Sequence, residues 1–260
     1  MTHNIMSIVK RNAKFNIIAS SNSIEAWNLI NNNKWEEYTF NILDKFLNKD
    51  SNYLDIGAWV GPTVLYAANL AKHVYAIEPD PIAFQELNNN LHLNPLVSPK
   101  ITLIQAALSP QTGTTNLYKG NEYGDSTSSL IPANSDHACV VNCITIDELI
   151  TTYNIKNLNL IKIDIEGSEY KLIPSMKKFL EIKKPTLYLS LHPPFLRKTL
   201  IQQYTCKNEL EYNYNKINKN LIESLHMYKY IYDINGNRIN KEKLLNETNF
   251  QEFLFTNENL

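Results

Sequence analysis

Apolar and polar positions divide the middle of the chain into short apolar runs separated by amphipathic segments. The runs have the length of buried strands, and helical spacing follows several of them. The predicted strands are 53–56, 73–77, 101–108, 157–164 and 185–192, with weaker candidates at 114–118 and 138–144, and the predicted helices are 62–72, 81–92, 147–153 and 168–173. This alternation predicts an open, mostly parallel α/β sheet whose strand-to-helix loops share one edge.

The two ends of the chain carry different patterns. Residues 1–50 predict a helical lead-in, because "IEAWNLI" and "TFNILDKFL" place apolar residues at helical spacing. The C-terminal part predicts a polar helical region, a hairpin-like "YIYDINGNRI" and a closing strand "FQEFLFT". We therefore divide the chain into an N-terminal helical lead-in, 1–50, and one α/β domain, 51–260.

Composition and charge describe a folded, nearly neutral protein. Hydrophobic residues make up 43% of the chain and charged residues 20%, and the net charge is −1, which favours a folded core over disorder. The sequence shows no basic block and no apolar run of about 18 residues, so we expect neither a nucleic-acid partner nor a membrane partner. Cys139, Cys143 and Cys206 form no C-x-x-C pair and the N-terminus lacks an apolar signal core. These features predict reduced thiols and a cytoplasmic location.

Candidate chemistry begins in the loop after the first predicted strand, "YLDIGAWVGPTV". The chain has only 7 glycines, against roughly 18 at average usage, yet Gly57 and Gly61 both lie here. A dinucleotide site needs G-x-G-x-x-G and backbone donors for phosphate at a helix start. Here the two glycines are four residues apart, and Pro62 removes one donor. S-adenosylmethionine has no phosphate, and a glycine turn beside the acceptor Asp55 suits it.

The second predicted strand supports a nucleotide-type cofactor. It ends at Glu78, 21 residues after Gly57 in the sequence. An acidic residue at this spacing accepts hydrogen bonds from ribose hydroxyls in either cofactor class. The alternative is that the loop glycines only pack and that Glu78 is a solvated strand end. Together, the loop and Glu78 favour S-adenosylmethionine and leave an NAD(P) site as the alternative.

Five segments, in this order, resemble the FkbM-type methyltransferases, which use S-adenosylmethionine: "LDIGAWVGPTVLYAA", "VYAIEPDP", "AALSPQTGTTNLY", "TIDELI" and "LIKIDIEGSEYKLI". The similarity covers residues 35–195, and K-x-D-x-E-G at 162–167 is its most specific part. The resemblance implies a class I methyltransferase fold: a Rossmann-like, doubly wound sheet of seven mostly parallel strands with an antiparallel last strand, after N-terminal lead-in helices. It also implies O-methylation, commonly of sugar hydroxyls or natural-product scaffolds.

The resemblance also implies site residues. The cofactor contacts carried over are Asp55, Gly57, Ala58, Trp59, Gly61, Thr63, Glu78, Pro79, Asp80, Gln105, Ala106 and Asp164. Glu78 matches the ribose-binding acid, and Gln105 lies in the region near the adenine. Asp164 and Glu166 match the acidic pair at the active-site edge. Trp59 departs from the family pattern, in which Asn is common, so the contact at the methionine end is expected to differ.

The candidate catalytic residues are Asp164, Glu166, His192 and Lys162. Asp164 and His192 end two predicted strands, which as neighbours would lie about 5 Å apart. We predict that His192, with an ordinary pKa of about 6.5, takes the proton of the acceptor hydroxyl while Asp164 orients the ring or the hydroxyl. Lys162 faces the same side as Asp164, and it either keeps that carboxylate ionised or is a buried structural partner.

These residues have alternative roles. Asp164, Glu166 and His192 contain the donor types that bind a divalent metal such as Mg²⁺, although the sequence shows no further ligand motif and we assign no metal ligand. His192 is equally compatible with a structural role before two prolines. "STSSL" at 126–130 is expected to face the site, and Trp35, Glu36 and Thr39 to cover the cofactor.

We interpret the chain as an S-adenosylmethionine-dependent O-methyltransferase acting on a hydroxyl of a sugar, a glycan or another hydroxylated small molecule. An NAD(P)-dependent oxidoreductase is one alternative, disfavoured by the loop spacing. A catalytically degenerate methyltransferase-fold binding module is another, and the presence of Asp55, Gly57, Glu78 and Asp164 weighs against it. A homo-oligomer is compatible with the sequence, which fixes neither the oligomeric state nor the acceptor.

Overall fold

The computed structural model describes residues 5–132 and 137–260, so residues 1–4 of the predicted lead-in lie outside the described part. The strands are β1 Ile5–Lys10, β2 Ala13–Ile18, β3 Asn52–Ile56, β4 His73–Ile77, β5 Ile101–Ile104, β6 Ala107–Leu108, β7 Gly113–Tyr118, β8 Ala138–Ile144, β9 Leu160–Ile163, β10 Thr186–Leu191, β11 Tyr230–Asp233 and β12 Gln251–Thr256. The helices are α1 Ile24–Asn31, α2 Glu37–Phe46, α3 Pro62–Leu70, α4 Pro81–His92, α5 Ile146–Thr152, α6 Glu169–Ser175, α7 Lys177–Lys183, α8 Pro193–Gln203, α9 Lys207–Glu223 and α10 Lys241–Leu245.

Seven strands form the main sheet, in the order β11-β12-β10-β9-β3-β4-β5. The pairs along β10-β9-β3-β4-β5 are parallel, and β12 pairs antiparallel with both β10 and β11. The predicted seven-stranded, mostly parallel sheet with an antiparallel last strand is therefore confirmed.

Alternate residues of the central strands point to opposite faces of the sheet. Leu54 and Ile56 on β3 belong to one buried apolar cluster, whereas Tyr53 belongs to a second cluster on the other face. This follows from the period of two in a strand. Both faces are covered, as expected for parallel strands that read as continuous apolar runs.

The switch point of the sheet lies between β3 and β9. The chain runs outward from β3 through β4 to β5, and then returns to the other side of β3 as β9. Ile56 pairs with Ile163 at the ends of these strands, so the loops that begin at Gly57 and Asp164 leave the sheet side by side. Open α/β sheets bind ligands in the crevice outside such strand ends.

The N-terminal segment differs in part from the prediction. The helices α1 and α2 are found at the two predicted segments, but residues 5–18 form an antiparallel hairpin of β1 and β2. Ile8, Phe15 and Ile17 are buried in it, because apolar residues alternate with polar ones over these short strands. The hairpin also packs on the domain, since the Asn90 side chain accepts a hydrogen bond from the Ile18 N–H at 2.7 Å.

A second, small sheet has the order β6-β8-β7. The prediction of one strand over residues 101–108 is wrong, because the chain leaves the main sheet after β5 and pairs again as β6 with β8. The weaker strand candidates at 114–118 and 138–144 are confirmed as β7 and β8. Residues 119–132 follow β7 and reach back towards the main sheet.

The C-terminal part supplies helices and the sheet edge. The closing strand is confirmed as β12. The hairpin-like segment gives only the strand β11 and an isolated bridge from Tyr232 to Arg238, because β11 takes β12 as its partner. Pro174 lies inside α6, which ends one residue later at Ser175. Among the described residues, no helix combines the length and the apolar character needed to cross a membrane.

Candidate active site

A cavity of about 220 Å³ opens at the ends of β3, β4, β9 and β10, beside the switch point. It brings together most of the residues predicted from the sequence. Those that line it are Gly57, Ala58, Trp59, Thr63, Glu78, Pro79, Lys162, Asp164, Glu166 and His192. The expected covering residues Trp35 and Glu36 line it as well, as do Ser126, Ser128 and Leu130 from the segment after β7.

Two predicted cofactor residues, Gly61 and Asp55, lie on the buried side of the glycine loop that follows β3. Gly61 precedes α3 with a left-handed φ of 93°, and a β-carbon there would lie 2.3 Å from Leu87 Cδ1. Asp55 is fully buried, where its Oδ2 accepts a hydrogen bond from the Thr63 hydroxyl. Neither residue is among those lining the cavity. Gly61 and Asp55 therefore set the shape of the loop rather than its ligand surface.

Glu78 ties the glycine loop to the end of β4. Its Oε2 accepts a hydrogen bond from the Trp59 N–H and its Oε1 one from the Asp80 N–H, both at 2.8 Å. Burial raises the pKa of Glu78 to about 7, although these two N–H groups favour the ionised form. Each carboxylate oxygen still has a lone pair for a further donor, such as a ribose hydroxyl.

Both carboxylate oxygens of Asp80, which the resemblance implied as a cofactor contact, accept hydrogen bonds within the protein. Its Oδ1 caps α4 by accepting hydrogen bonds from the backbone N–H groups of Ile82 and Ala83. Its Oδ2 accepts one from the Gly124 N–H at 2.9 Å and one from the Ser128 hydroxyl at 2.7 Å. Asp80 is 1% exposed and is not among the lining residues. It fixes the segment after β7 against the start of α4.

The two residues predicted to lie near the adenine do not line the cavity. Gln105 lies at the break between β5 and β6, is exposed, and does not line the cavity, and neither does Ala106. Ala107 and Leu108 of β6 line it instead. The predicted strand over 101–108 runs through this break, because its apolar residues carry no mark of the change of sheet.

Lys162 lies between two carboxylates beneath the cavity. Its Nζ is 3.2 Å from Asp164 Oδ2 and 3.8 Å from Asp55 Oδ1. Burial lowers the pKa of Lys162, but the charges of Asp164, Asp55 and Glu36 outweigh that effect and raise it. Burial also acts against the charge of Asp164, yet Lys162 and His192 hold the pKa of Asp164 below its ordinary value. Both groups are therefore charged at neutral pH.

His192 is surrounded by three carboxylates. Its Nδ1 is 2.8 Å from Glu169 Oε1, and its Nε2 is 3.4 Å from Glu166 Oε2 and 3.6 Å from Asp164 Oδ1. Burial lowers the pKa of His192, but the nearby acids raise it to about 11. A ring that already carries its second proton cannot accept another. The structure thus confirms that Asp164 and His192 end adjacent strands, but it does not support His192 as the base.

Some residues of the site were missed by the sequence analysis. Glu169 is fully buried and contacts His192, although it lies in another element, α6. Phe250 lines the cavity and lies 4.9 Å from the His192 ring, centroid to centroid. Asp125 lines the cavity from the segment after β7. No spacing in the sequence links these residues, because folding alone brings them together.

The strand order and the cavity at the switch point define a class I, Rossmann-like methyltransferase domain. A family model described as the methyltransferase FkbM domain matches residues 55–235, more than half of the chain. The chain belongs to this FkbM methyltransferase family.

Solved structures similar to this chain include other methyltransferases at low identity. Methyltransferase FkbM from Methylobacillus flagellatus KT is 18% identical, with a TM-score of 0.46, over 91% of this chain and 55% of that one. This chain thus spans about half the length of that protein. A putative methyltransferase from Streptococcus mutans in complex with SAH is 12% identical, with a TM-score of 0.44, over 84% and 96%. A search of curated proteins found no match.

Proposed function

We propose that this chain is an S-adenosylmethionine-dependent O-methyltransferase that methylates a hydroxyl of a sugar, a glycan or another hydroxylated small molecule. The observation that carries the cofactor choice is the excess of acidic over basic side chains in the cavity. Five carboxyl groups line it, against Lys162 and His192 as cationic groups: Glu36, Glu78, Asp125, Asp164 and Glu166. A cationic sulfonium ligand is favoured by such surroundings, whereas the pyrophosphate of NAD(P) is repelled.

The start of α3 supports the same choice. Pro62 occupies the first turn of this helix and lines the cavity, so one backbone donor that a phosphate would use is missing. Gly61 caps this helix, and the position where its β-carbon would lie faces Leu87 rather than the cavity. A dinucleotide would therefore find few donors for its phosphates here.

The cavity offers separate surfaces for the parts of the cofactor. Ile77, Ala107 and Leu108 form an apolar side for the adenine, next to Glu78, which accepts from the ribose hydroxyls. The glycine loop and the acidic side chain of Glu36 flank the methionine end. Burial, followed by the charge of Glu252, raises the pKa of Glu36 to about 8, and a cationic amino group would favour its ionised form.

Methyl transfer would take place at the Asp164 edge. The acceptor oxygen attacks the methyl carbon in line with the breaking C–S bond, and S-adenosylhomocysteine leaves. The carboxylates of Asp164 and Glu166 line this end of the cavity. Glu166 can accept the hydroxyl proton, because burial raises its pKa, whereas Lys162 and His192 make Asp164 the weaker base. The ring of Phe250, 49% exposed at the cavity wall, offers an apolar face to a sugar ring.

Calorimetric titration, combined with a methyl-release assay, tests this function. S-adenosylmethionine and S-adenosylhomocysteine should bind, NAD and NADP should not, and a panel of sugars, glycans and other hydroxylated compounds should contain an acceptor. Tight binding of NAD alone would establish the oxidoreductase alternative. Cofactor binding without transfer to any of the panel's acceptors would support the degenerate binding module.

A further inference from the structure

Three side chains at the cavity edge bring possible metal-ligand atoms close together. The Nε2 atom of His192 and one carboxylate oxygen each of Asp164 and Glu166 lie within 4.8 Å of one another. Asp164 and His192 follow adjacent parallel strands, and Glu166 belongs to the turn between β9 and α6. All three residues line the cavity.

The separations within this cluster suit a bridging ion. The Nε2 atom lies 3.4 Å from Glu166 Oε2 and 3.6 Å from Asp164 Oδ1, longer than charge-assisted hydrogen bonds of about 2.7–2.9 Å. Two ligand atoms, each about 2.0–2.1 Å from a tetrahedral metal, lie about 3.4 Å apart. The two separations from Nε2 therefore correspond to shared coordination better than to direct hydrogen bonding.

Neighbouring side chains orient His192 and leave one oxygen of Asp164 free for an ion. Glu169 Oε1 lies 2.8 Å from Nδ1 of His192, and a carboxylate acceptor there requires a proton on Nδ1. This leaves Nε2, on a ring that is 5% exposed, directed at the two acids. A metal ion bound there would displace the second proton that these acids otherwise hold on the ring. A carboxylate that orients a histidine through its far nitrogen is the usual partner of a metal-binding imidazole. In Asp164, Lys162 engages Oδ2, and Oδ1 remains for the cluster.

We propose that Asp164 Oδ1, Glu166 Oε2 and His192 Nε2 form a binding site for one divalent metal ion of the four-coordinate zinc type. One imidazole with two carboxylates suits Zn²⁺ better than Mg²⁺, which prefers six oxygen ligands. Three protein ligands leave a fourth position open towards the cavity. This inference rests on the proposed function only for the occupant of that position, which is the acceptor hydroxyl.

Cobalt(II) is the probe that tests the site, because its visible absorption is intense in four-coordinate and weak in six-coordinate surroundings. Chelator-stripped protein should bind one equivalent of Co²⁺ with four-coordinate absorption, and Zn²⁺ should displace it. A thiolate charge-transfer band should be absent, which separates this site from Cys139, Cys143 and Cys206. S-adenosylmethionine binding is titrated separately, so a failed cofactor prediction and a failed metal prediction can be told apart.

Three variants and one control locate the ion. Glu166→Gln and His192→Ala should each weaken Co²⁺ binding at least 100-fold, and Glu169→Gln, a positioning change, about 10–100-fold. His226→Gln is the control, because its Nε2 faces a single carboxylate, Glu181, at 3.6 Å, and it should bind as the parent does. Circular dichroism checks that each variant is folded. Absent Co²⁺ binding, or equal binding by the parent and Glu166→Gln, would overturn the proposal.

Discussion

Gly57 lies directly against the backbone of Asp164. A β-carbon at position 57 would stand 1.9 Å from the Asp164 carbonyl oxygen, and Gly57 has a φ of 84°. The first residue of the cofactor loop and the first residue after β9 are thus in contact, because their strands pair in register. The glycine loop and the Asp164 edge of the cavity meet at this point.

Gly57→Ala should therefore damage both stability and cofactor binding. The added methyl must displace backbone, which costs about 1–3 kcal/mol or more, and the left-handed conformation adds about 1–2 kcal/mol. Urea denaturation measures the first effect and calorimetry with S-adenosylmethionine the second. Gly236→Ala is the matched control, because Gly236 has a φ of 76° with no atom within 4 Å of a β-carbon. Equal losses in both variants would show that the contact with Asp164 is unimportant.

Glu78 should make cofactor binding depend on pH. Its pKa is about 7, and its ionised form accepts ribose hydroxyls better than its protonated form does. Affinity should therefore rise about tenfold from pH 6 to pH 8, as the ionised fraction rises. Methylthioadenosine is the ligand to use in calorimetry, since it keeps the adenine and ribose but lacks the titratable amino acid group.

The Glu78→Gln variant provides the control for this prediction. It should bind methylthioadenosine more weakly, by about 1.5–3 kcal/mol for each charge-assisted bond that is lost. It should also lose the rise in affinity with pH, because the amide does not titrate. A pH dependence that persists in Glu78→Gln must come from another group.

The sheet and its edge were predictable from the sequence because local patterns specify them. Apolar runs marked the strands, and Asp80 with Pro81 marked the start of α4, which the structure confirms. The position of the glycine loop at the edge shared by the other strand-to-helix loops followed from parallel topology. These features could be predicted because each depends on residues that are close together in the sequence or on the parallel order of the strands.

The parts that were not predictable depend on contacts between distant segments. His192 and Glu169 are 23 residues apart, and their contact decides the charge of the imidazole. The Gly124 N–H donates a hydrogen bond to Asp80, 44 residues away in the sequence. The hairpin at 5–18 was missed because its strands are only 6 residues long each and lie in a segment interpreted as helical from its neighbours. Such pairings leave no periodic signal in one sequence.

Lys162→Met should strongly destabilise the fold. The change leaves Asp55, which is fully buried, without its nearest cation, and breaking a buried charge pair from one side costs about 3–5 kcal/mol. Adding Asp55→Asn should recover part of the loss, because the uncompensated charge is removed. Lys243→Met is the control: Lys243 is 52% exposed beside Asp233, and its loss should cost less than about 1 kcal/mol.

The measurements on Lys162 also separate its two interpretations. Denaturant unfolding of the single and double variants gives the structural contribution. The rate of methyl transfer in the folded double variant then shows whether Lys162 also supports catalysis by keeping Asp164 ionised. A Lys162→Met protein as stable as the parent would mean that neither Asp55 nor Asp164 depends on this ammonium group.

We predict that Asp80 stabilises the part of the cavity wall that follows β7 and does not contact the ligand. Asp80→Ala removes the cap of α4, which costs about 0.5–2 kcal/mol, and strands the Gly124 N–H and the Ser128 hydroxyl, at about 1–3 kcal/mol each if they stay buried. Asn240→Ala is the control, because Asn240 caps α10 through the Lys243 N–H alone.

Hydrogen exchange distinguishes these two caps. In Asp80→Ala, amides of residues 120–130 should exchange faster than in the parent, and cofactor affinity should fall indirectly, because Ser126, Ser128 and Leu130 line the cavity. In Asn240→Ala, faster exchange should stay within α10. Asp80→Asn should fall between the parent and Asp80→Ala, since its amide oxygen can still cap α4 while its amino group cannot accept from Gly124. An Asp80→Ala protein with unchanged exchange at 120–130 but weaker cofactor binding would return Asp80 to direct ligand contact.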